Sequence, residues 1–270
     1  MNILDEIIAS KTKEVTHKKA LFPQKLLESS IHFGVQPISL KKYIKRSDKS
    51  GIIAEIKRKS PSKGIINSQV SVERISIGYM QAGASALSVL TDKTYFGGSN
   101  EDLTVARDYN FCPILRKDFI IDEYQIIEAK SIGADAILLI AAALSPIRLR
   151  ELAKFAKSLQ MEVLMEVHDL TELQANLHPE IDLIGVNNRN LKSFETDVTT
   201  SKNLVNHIPA EYLKISESGI DSPAVVHELQ QIGFDGFLIG ESFMKHSRPE
   251  HACGKFIKEL QSLNQKMMPL

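Results

Sequence analysis

The sequence has no tryptophan, two cysteines and no excess of either charge. Cys112 and Cys253 are too few for a disulfide framework or a zinc knuckle. The eight histidines make neither a His-Glu-x-x-His nor a His-x-His pair, so no metal site is expected. Lysine plus arginine number 33, as do aspartate plus glutamate, whereas a nucleic-acid binder usually carries a basic surplus. No stretch approaches the roughly 20 apolar residues that cross a bilayer. Met1 to Glu6 include acids where a secretion signal needs a basic region and an apolar run. The expectation is a reduced, cytoplasmic protein with no nucleic-acid or membrane partner. A locally basic cleft for a small anion stays open, because a neutral total does not report local charge.

What is present is the mix of an ordinary globular chain: 43% hydrophobic and 24% charged residues over 270 positions, enough for a sizeable core. The first fifty residues read as short helices. Ile3, Leu4, Ile7 and Ile8 recur at helical spacing, Pro23 suits the first turn of a second helix, and Ser39 can cap a third carrying Leu40, Tyr43 and Ile44. This stretch is too small to bury its own core, so it is expected to be an extension of one domain spanning 1–270.

From Gly51 the texture changes. Runs rich in branched residues alternate with longer amphipathic segments: Ile52–Ile56, Ala86–Leu90, Pro113–Arg116, Ala136–Ile140, Glu162–Val167, Leu183–Val186, Leu213–Ser216 and Gly236–Ile239. Continuous apolar runs such as Ala136–Ile140 suit strands buried on both faces, as in parallel sheets. Gly83, Gly133 and Gly233 recur in one setting, a glycine where a helix should end, then a polar turn residue and a strand. Eight such units without a long linker predict a closed (β/α)8 TIM barrel. A doubly wound dinucleotide fold would want Gly-x-Gly-x-x-Gly after the first strand, but Lys57–Gly64 holds one glycine.

In such a barrel the chemistry sits where strands end. Period two places Glu55 and Lys57 on one face, either as an ion pair or as catalytic groups. At the third strand end Arg116 and Lys117 are adjacent, so either one of them faces inward, not both, or the two are solvated loop charge. Glu166 precedes Asp169, which with Glu172 reads as a helix cap, so Glu166 is the better base; His168 reads as an incidental loop histidine. Asn187 and Arg189 offer donors for an anion, or a turn. Ser218-Gly219 and Gly240-Glu241, after strands seven and eight, are placed for a phosphate cradle, with Glu241 turned away and offering its amide. Gly97-Gly98 before Ser99 reads as a turn into a helix, or as a lid.

Taken in order, these segments resemble indole-3-glycerol phosphate synthase. The similarity runs through Ile53–Gly64, Ser88–Thr91, Tyr95–Ser99, Leu115–Phe119, Glu166–His168, Gly185–Leu191, Ser216–Gly219 and Leu238–Ser242. The resemblance implies a cofactor-free ring closure in tryptophan biosynthesis. In it 1-(2-carboxyphenylamino)-1-deoxyribulose 5-phosphate loses carbon dioxide and water. It also implies roles: Lys117 as general acid, Lys57 on the substrate carboxylate and the departing hydroxyl, and Glu166 and Glu55 as bases. Asn187, Arg189 and Phe119 would position substrate. Ser60, Ser218, Gly219, Gly240 and Glu241 would hold the phosphate. The division of the dehydration among Lys57, Glu55 and Glu166 stays open. Asn188 and Glu241 stand where the family often has serine, which argues against side-chain phosphate contacts there.

Two other readings compete. A phosphoribosylanthranilate isomerase-like barrel would use a Cys–Asp pair and lack the leading helices, and Cys112 precedes the third strand rather than ending the first. A non-catalytic phosphosugar-binding barrel would lack the acid and base positions. The partner expected is a small phosphosugar, with the chain as a monomer or weak homo-oligomer.

Overall fold

The computed structural model describes residues 3–191 and 193–266. Eight parallel strands close into a barrel: β1 (Ile52–Ile56), β2 (Ala86–Leu90), β3 (Ile114–Lys117), β4 (Ala136–Ile140), β5 (Glu162–Val167), β6 (Leu183–Asn187), β7 (Leu213–Glu217) and β8 (Gly236–Ile239). Each pairs with its sequence neighbours, and β8 returns to β1 through Ile52↔Phe237. The strand runs read from the sequence match these within a residue. β3 starts at Ile114 because Pro113 has no N–H to give a ladder. β3, β6 and β7 each run one residue further, to Lys117, Asn187 and Glu217, so these polar groups are held by sheet rather than by loop.

The strands are buried on both faces, as their unbroken apolar runs require. One face of each strand packs under the outer helices. The other fills the barrel with Ile53, Ala86, Leu115, Ala136, Leu138, Leu164, Leu183, Leu213, Ile215 and Leu238. Leu40 and Ile44, from the helix Leu40–Ile44, join this inner cluster and plug the N-terminal end. A side chain at Gly236 would press on Ile215 and on Ile44, so glycine lets the plug seat.

Two acids at strand starts tie down the extension. Asp135 accepts from the Ile38 amide at 2.7 Å. Glu162 accepts from the Ser39 hydroxyl at 2.5 Å and the Lys41 amide at 2.9 Å. Ser39 caps its helix by accepting from Lys42, as the sequence predicts, and Pro23 precedes the helix Gln24–Glu28. The recurrent glycines follow the helices Val72–Gln81, Glu123–Ser131 and Pro223–Gln231 with φ of 99°, 95° and 106°, the left-handed region that stops a helix. The leading helix, Ile3–Leu21, lies across the C-terminal mouth of the barrel, where Leu4 and Ile7 are buried. Among the described residues, no helix is long and apolar enough to cross a membrane.

Candidate active site

The strand register sorts the polar residues between the two faces. Leu115 and Lys117 point into the barrel, so Arg116 points out beneath the helices. The sequence left open which of the two faced inward, and allowed that both were solvated. Neither is solvated. Lys117 is largely enclosed, and Arg116 is among the largest fully buried side chains. The same alternation sends Glu55, Glu166, Asn187 and Glu217 into the barrel above the apolar layers, with Glu166 level with Ile140 and Gly185, and Asn187 level with Glu217.

These groups open into one cavity of about 790 Å³ at the C-terminal rim. Its floor carries two amine–carboxylate units. Lys117 Nζ lies 2.8 Å from Glu166 and 3.0 Å from Glu217; Lys57 Nζ lies 2.6 Å from Glu55. Asn187 donates from Nδ2 to the other Glu166 oxygen at 3.0 Å and accepts from the Arg189 amide at 3.0 Å, so it orients base and loop together. Burial disfavours the Lys117 ammonium, but Glu166, Glu217 and Glu55 outweigh that and hold its pKa well above the ordinary lysine value. The two acids part company. Burial would raise both. Lys117, His168 and Asn187 instead pull Glu166 below the usual range, whereas the charges of Glu166 and Glu55 add to burial and raise Glu217.

All twelve site residues chosen from the sequence line this cavity. Lys117, Lys57, Glu166 and Glu55 form its floor; Asn187, Arg189 and Phe119 stand on its wall; Ser60, Ser218, Gly219, Gly240 and Glu241 surround its other side. Phe119 faces Phe96 at 6.0 Å between ring centres, and Leu4 and Ile7 of the leading helix close over the apolar wall. Ser218 and Gly219 both adopt left-handed φ, 66° and 71°, a turn that aims successive amides to one side. The Glu241 carboxylate is not turned away. It reaches Arg189 at 3.4 Å and Lys63 at 3.5 Å.

Four features escaped the sequence reading. Glu217 was not singled out, yet it ends β7 and points inward, as Glu166 does one residue before the end of β5. Counting two positions on from inward Ile215 would have found it. Gly185 is needed because a Cβ there would strike Glu217 Oε1. Asn188 is buried outside the cavity: its amide donates to Ser216 Oγ and to the Ser218 carbonyl, both at 3.0 Å, so it shapes the turn instead of touching a ligand. His168 is no solvent-facing loop residue. Its ring is held by Glu172 at 3.2 Å and lies 3.5 Å from Glu166. The Gly97-Gly98 segment, which the sequence did single out as a turn or a lid, is tied to the loop after β1, where Arg58 pairs with Asp102 and donates to the Gly97 carbonyl at 3.2 Å. Ser99 caps the helix that follows it.

Fold and site together define a TIM-barrel enzyme with an amine–carboxylate centre at the rim where barrel enzymes work. Among solved structures, 3-hexulose-6-phosphate synthase from Salmonella typhimurium superposes with a TM-score of 0.61 at 10% identity. That match covers 78% of this chain and 98% of that one, a likeness of fold. Residues 4–260 match the family model for indole-3-glycerol phosphate synthase. Curated proteins of that name are 49% identical over 260 residues in Bacteroides thetaiotaomicron, covering 96% of this chain and 99% of that one. In Campylobacter fetus the figure is 44% over 243 residues, covering 90% and 94%. The chain belongs to the indole-3-glycerol phosphate synthase family, the decarboxylating lyases of tryptophan biosynthesis.

Proposed function

We propose that the cavity floor divides the ring closure between its two amine–carboxylate units. The carboxylate-bearing ring carbon attacks the ribulose carbonyl, and Lys117 delivers a proton to the oxygen as negative charge develops there. The ring–carboxylate bond then breaks, and its electrons restore the aromatic ring as carbon dioxide leaves. Loss of the hydroxyl as water needs an acid on the oxygen and a base on the adjacent hydrogen. Lys57, partnered by Glu55, is the acid beside the carboxylate and hydroxyl, and Glu166 is the base. Glu217, raised by its buried position between two other carboxylates, stores a proton and returns it to Lys117 across 3.0 Å. No step calls for a metal or cofactor.

Asn187, Arg189 and Phe119 position the substrate. Ser60 and Ser218, with the amides of Gly219, Gly240 and Glu241, hold its phosphate. The enzyme works in the cytoplasm as a single barrel domain, 1–270, with its helical extension as a cavity wall. The small-molecule substrate is its partner, and the chain is a monomer or weak homo-oligomer.

The observation that carries this reading is the Lys117 ammonium held on the cavity floor between Glu166 and Glu217. The purified protein, given the carboxyphenylamino-deoxyribulose phosphate, should develop indole absorbance, read without interference because the chain has no tryptophan. Lys117→Ala should cut turnover by about 10² to 10⁴, the range for a lost general acid, with substrate binding kept. Near-normal turnover would remove Lys117 from the mechanism.

A further inference from the structure

The leading helix crosses the cavity mouth with one buried polar side chain among its apolar contacts, Lys11, which is 2% exposed. Its ammonium meets Asp92 at 2.8 Å, Asp118 at 3.0 Å and Glu14 at 2.8 Å. These contacts belong to a closed circuit. From Lys11 it runs through Asp118 to Arg116 (3.2 Å), then to Glu128 (2.6 Å) and Lys18 (3.0 Å). It returns through Glu14, which Lys18 meets at 3.0 Å. Three cations alternate with three anions. Thr91 donates to Asp118 at 2.5 Å, so the acid is held from the barrel side as well.

Lys11 and Lys18 stand two turns apart on one face of the helix, and Leu4 and Ile7 lie on the same face, two turns and one turn before Lys11. Leu4 and Ile7 are the side chains that the helix lends to the cavity, with Ile3 beside them. A turn of slip would move each by about 5.4 Å, taking Ile7 away from the wall. Apolar contact is non-directional and tolerates such a slip; a buried ammonium between two fixed carboxylates does not. At the other end, Asp118 directly follows Lys117, and Asp92 caps the short helix that carries Phe96. Lys11 therefore joins the helix to the ends of the two strands that frame the apolar wall.

We propose that Lys11 is a positioning residue for substrate binding: its ion pairs with Asp92 and Asp118 set the register of the leading helix over the cavity. Burial works against the charge on Lys11, but Asp118 and Asp92 hold it protonated. The proposal rests on the cavity being the substrate site, and the test separates the two ideas.

Lys11→Met leaves two buried carboxylates short of a partner. The companion variant Lys11→Met/Asp92→Asn removes one charge of each sign and keeps an asparagine cap for the Phe96 helix. Both are compared with Lys11→Arg, with folding checked by thermal melting. In the double variant KM should rise about tenfold or more while kcat stays within about threefold, the signature of lost uniform binding. Amide hydrogen exchange should quicken over residues 3–21 and stay slow in the barrel strands. Lys11→Arg should restore most of the KM. A double variant with wild-type KM, with protection of 3–21 unchanged, or with a fall in kcat at constant KM overturns the proposal. Wild-type protein without turnover would sink the assignment of the cavity instead, and the exchange result would still judge Lys11.

Discussion

Lys117 and Arg116 are neighbours in the chain, and each sits in a cluster of buried charge, but the clusters are built to opposite ends. Around Arg116 the circuit closes: Lys11, Lys18 and Arg116 alternate with Glu14, Glu128 and Asp118, and Arg116 also donates to the Gln125 carbonyl at 2.8 Å and to Asn100 at 3.1 Å. Around Lys117 no such ring closes. Two lysines face Glu55, Glu166 and Glu217, and Glu217 Oε1 has no hydrogen-bond partner among the described residues. Burial would push Asp118 up, yet Lys11, Arg116 and Thr91 hold it well below the usual carboxylate range, while in the open cluster Glu217 is raised. A satisfied network resists protonation change and so holds helices in place. An unsatisfied one keeps a carboxyl near its titration point, as proton transfer requires.

Breaking the closed circuit should give the largest effect on stability. Arg116→Met removes the cation shared by Asp118 and Glu128, both buried and left with Lys11 and Lys18, and should cost about 3–5 kcal/mol in a denaturant melt. Turnover measured where the variant is still folded should stay within about threefold. A large loss of kcat in folded protein would erase the distinction between the clusters.

The converse change is Gly185→Ala. Its Cβ would meet Glu217 and press on Leu164, so kcat should fall about tenfold to a hundredfold for a stability cost of about 1–3 kcal/mol. Wild-type kcat would show that the placement of Glu217 is not critical.

Acid and base should then sharpen the contrast, because the two carboxylates carry opposite signs of linkage. Asp118 is depressed in the folded state, so its contribution is present above the unfolded value of about 3.9 and is lost as pH falls through that value and below. Glu217 is raised, so the folded chain holds its proton longer, and stability falls as pH rises from the unfolded value of about 4.3 toward the raised one. Glu217→Gln should flatten that decline in melts taken across pH and remove a limb from the pH profile of kcat/KM. A limb that persists would assign it to another group.

The smallest effect belongs to the rim. Glu241→Ser frees Arg189 and Lys63 from long contacts that are partly exposed, and should change KM by less than about threefold without moving the melting temperature. A shift in melting temperature would mean that the Glu241 contacts hold the loop rather than balance charge.

Much of this architecture could be read from residue patterns because its causes are local. Branched apolar runs repeat along the chain, and Gly83, Gly133 and Gly233 stop their helices at a conformation that other residues rarely adopt. Ser39 and Ser99 cap the helices that follow them. The cavity floor was legible as far as each strand end could be read alone, which gave Glu55, Lys57 and Glu166 and left Arg116 or Lys117 open until the family resemblance chose Lys117. It failed where meaning depends on a distant neighbour. Glu217 was not singled out, Asn188 looked like a weakened phosphate contact, and Arg116 was left as an inward or a solvated charge. Each is assigned by what closes around it: a barrel interior, a turn after another strand, a helix from the start of the chain.

By itself, then, the sequence determined the eight-unit repeat, the helix stops and the chemical groups available at each rim position. Those follow from side-chain period and backbone conformation over a few residues. Only the tertiary structure decided which face each charge took, which carboxylate stayed without a full set of partners, and how Lys11 came to join a helix to two strand ends. Register and closure are properties of the whole barrel, and the cost of burying a charge is settled by partners that can lie a hundred residues away.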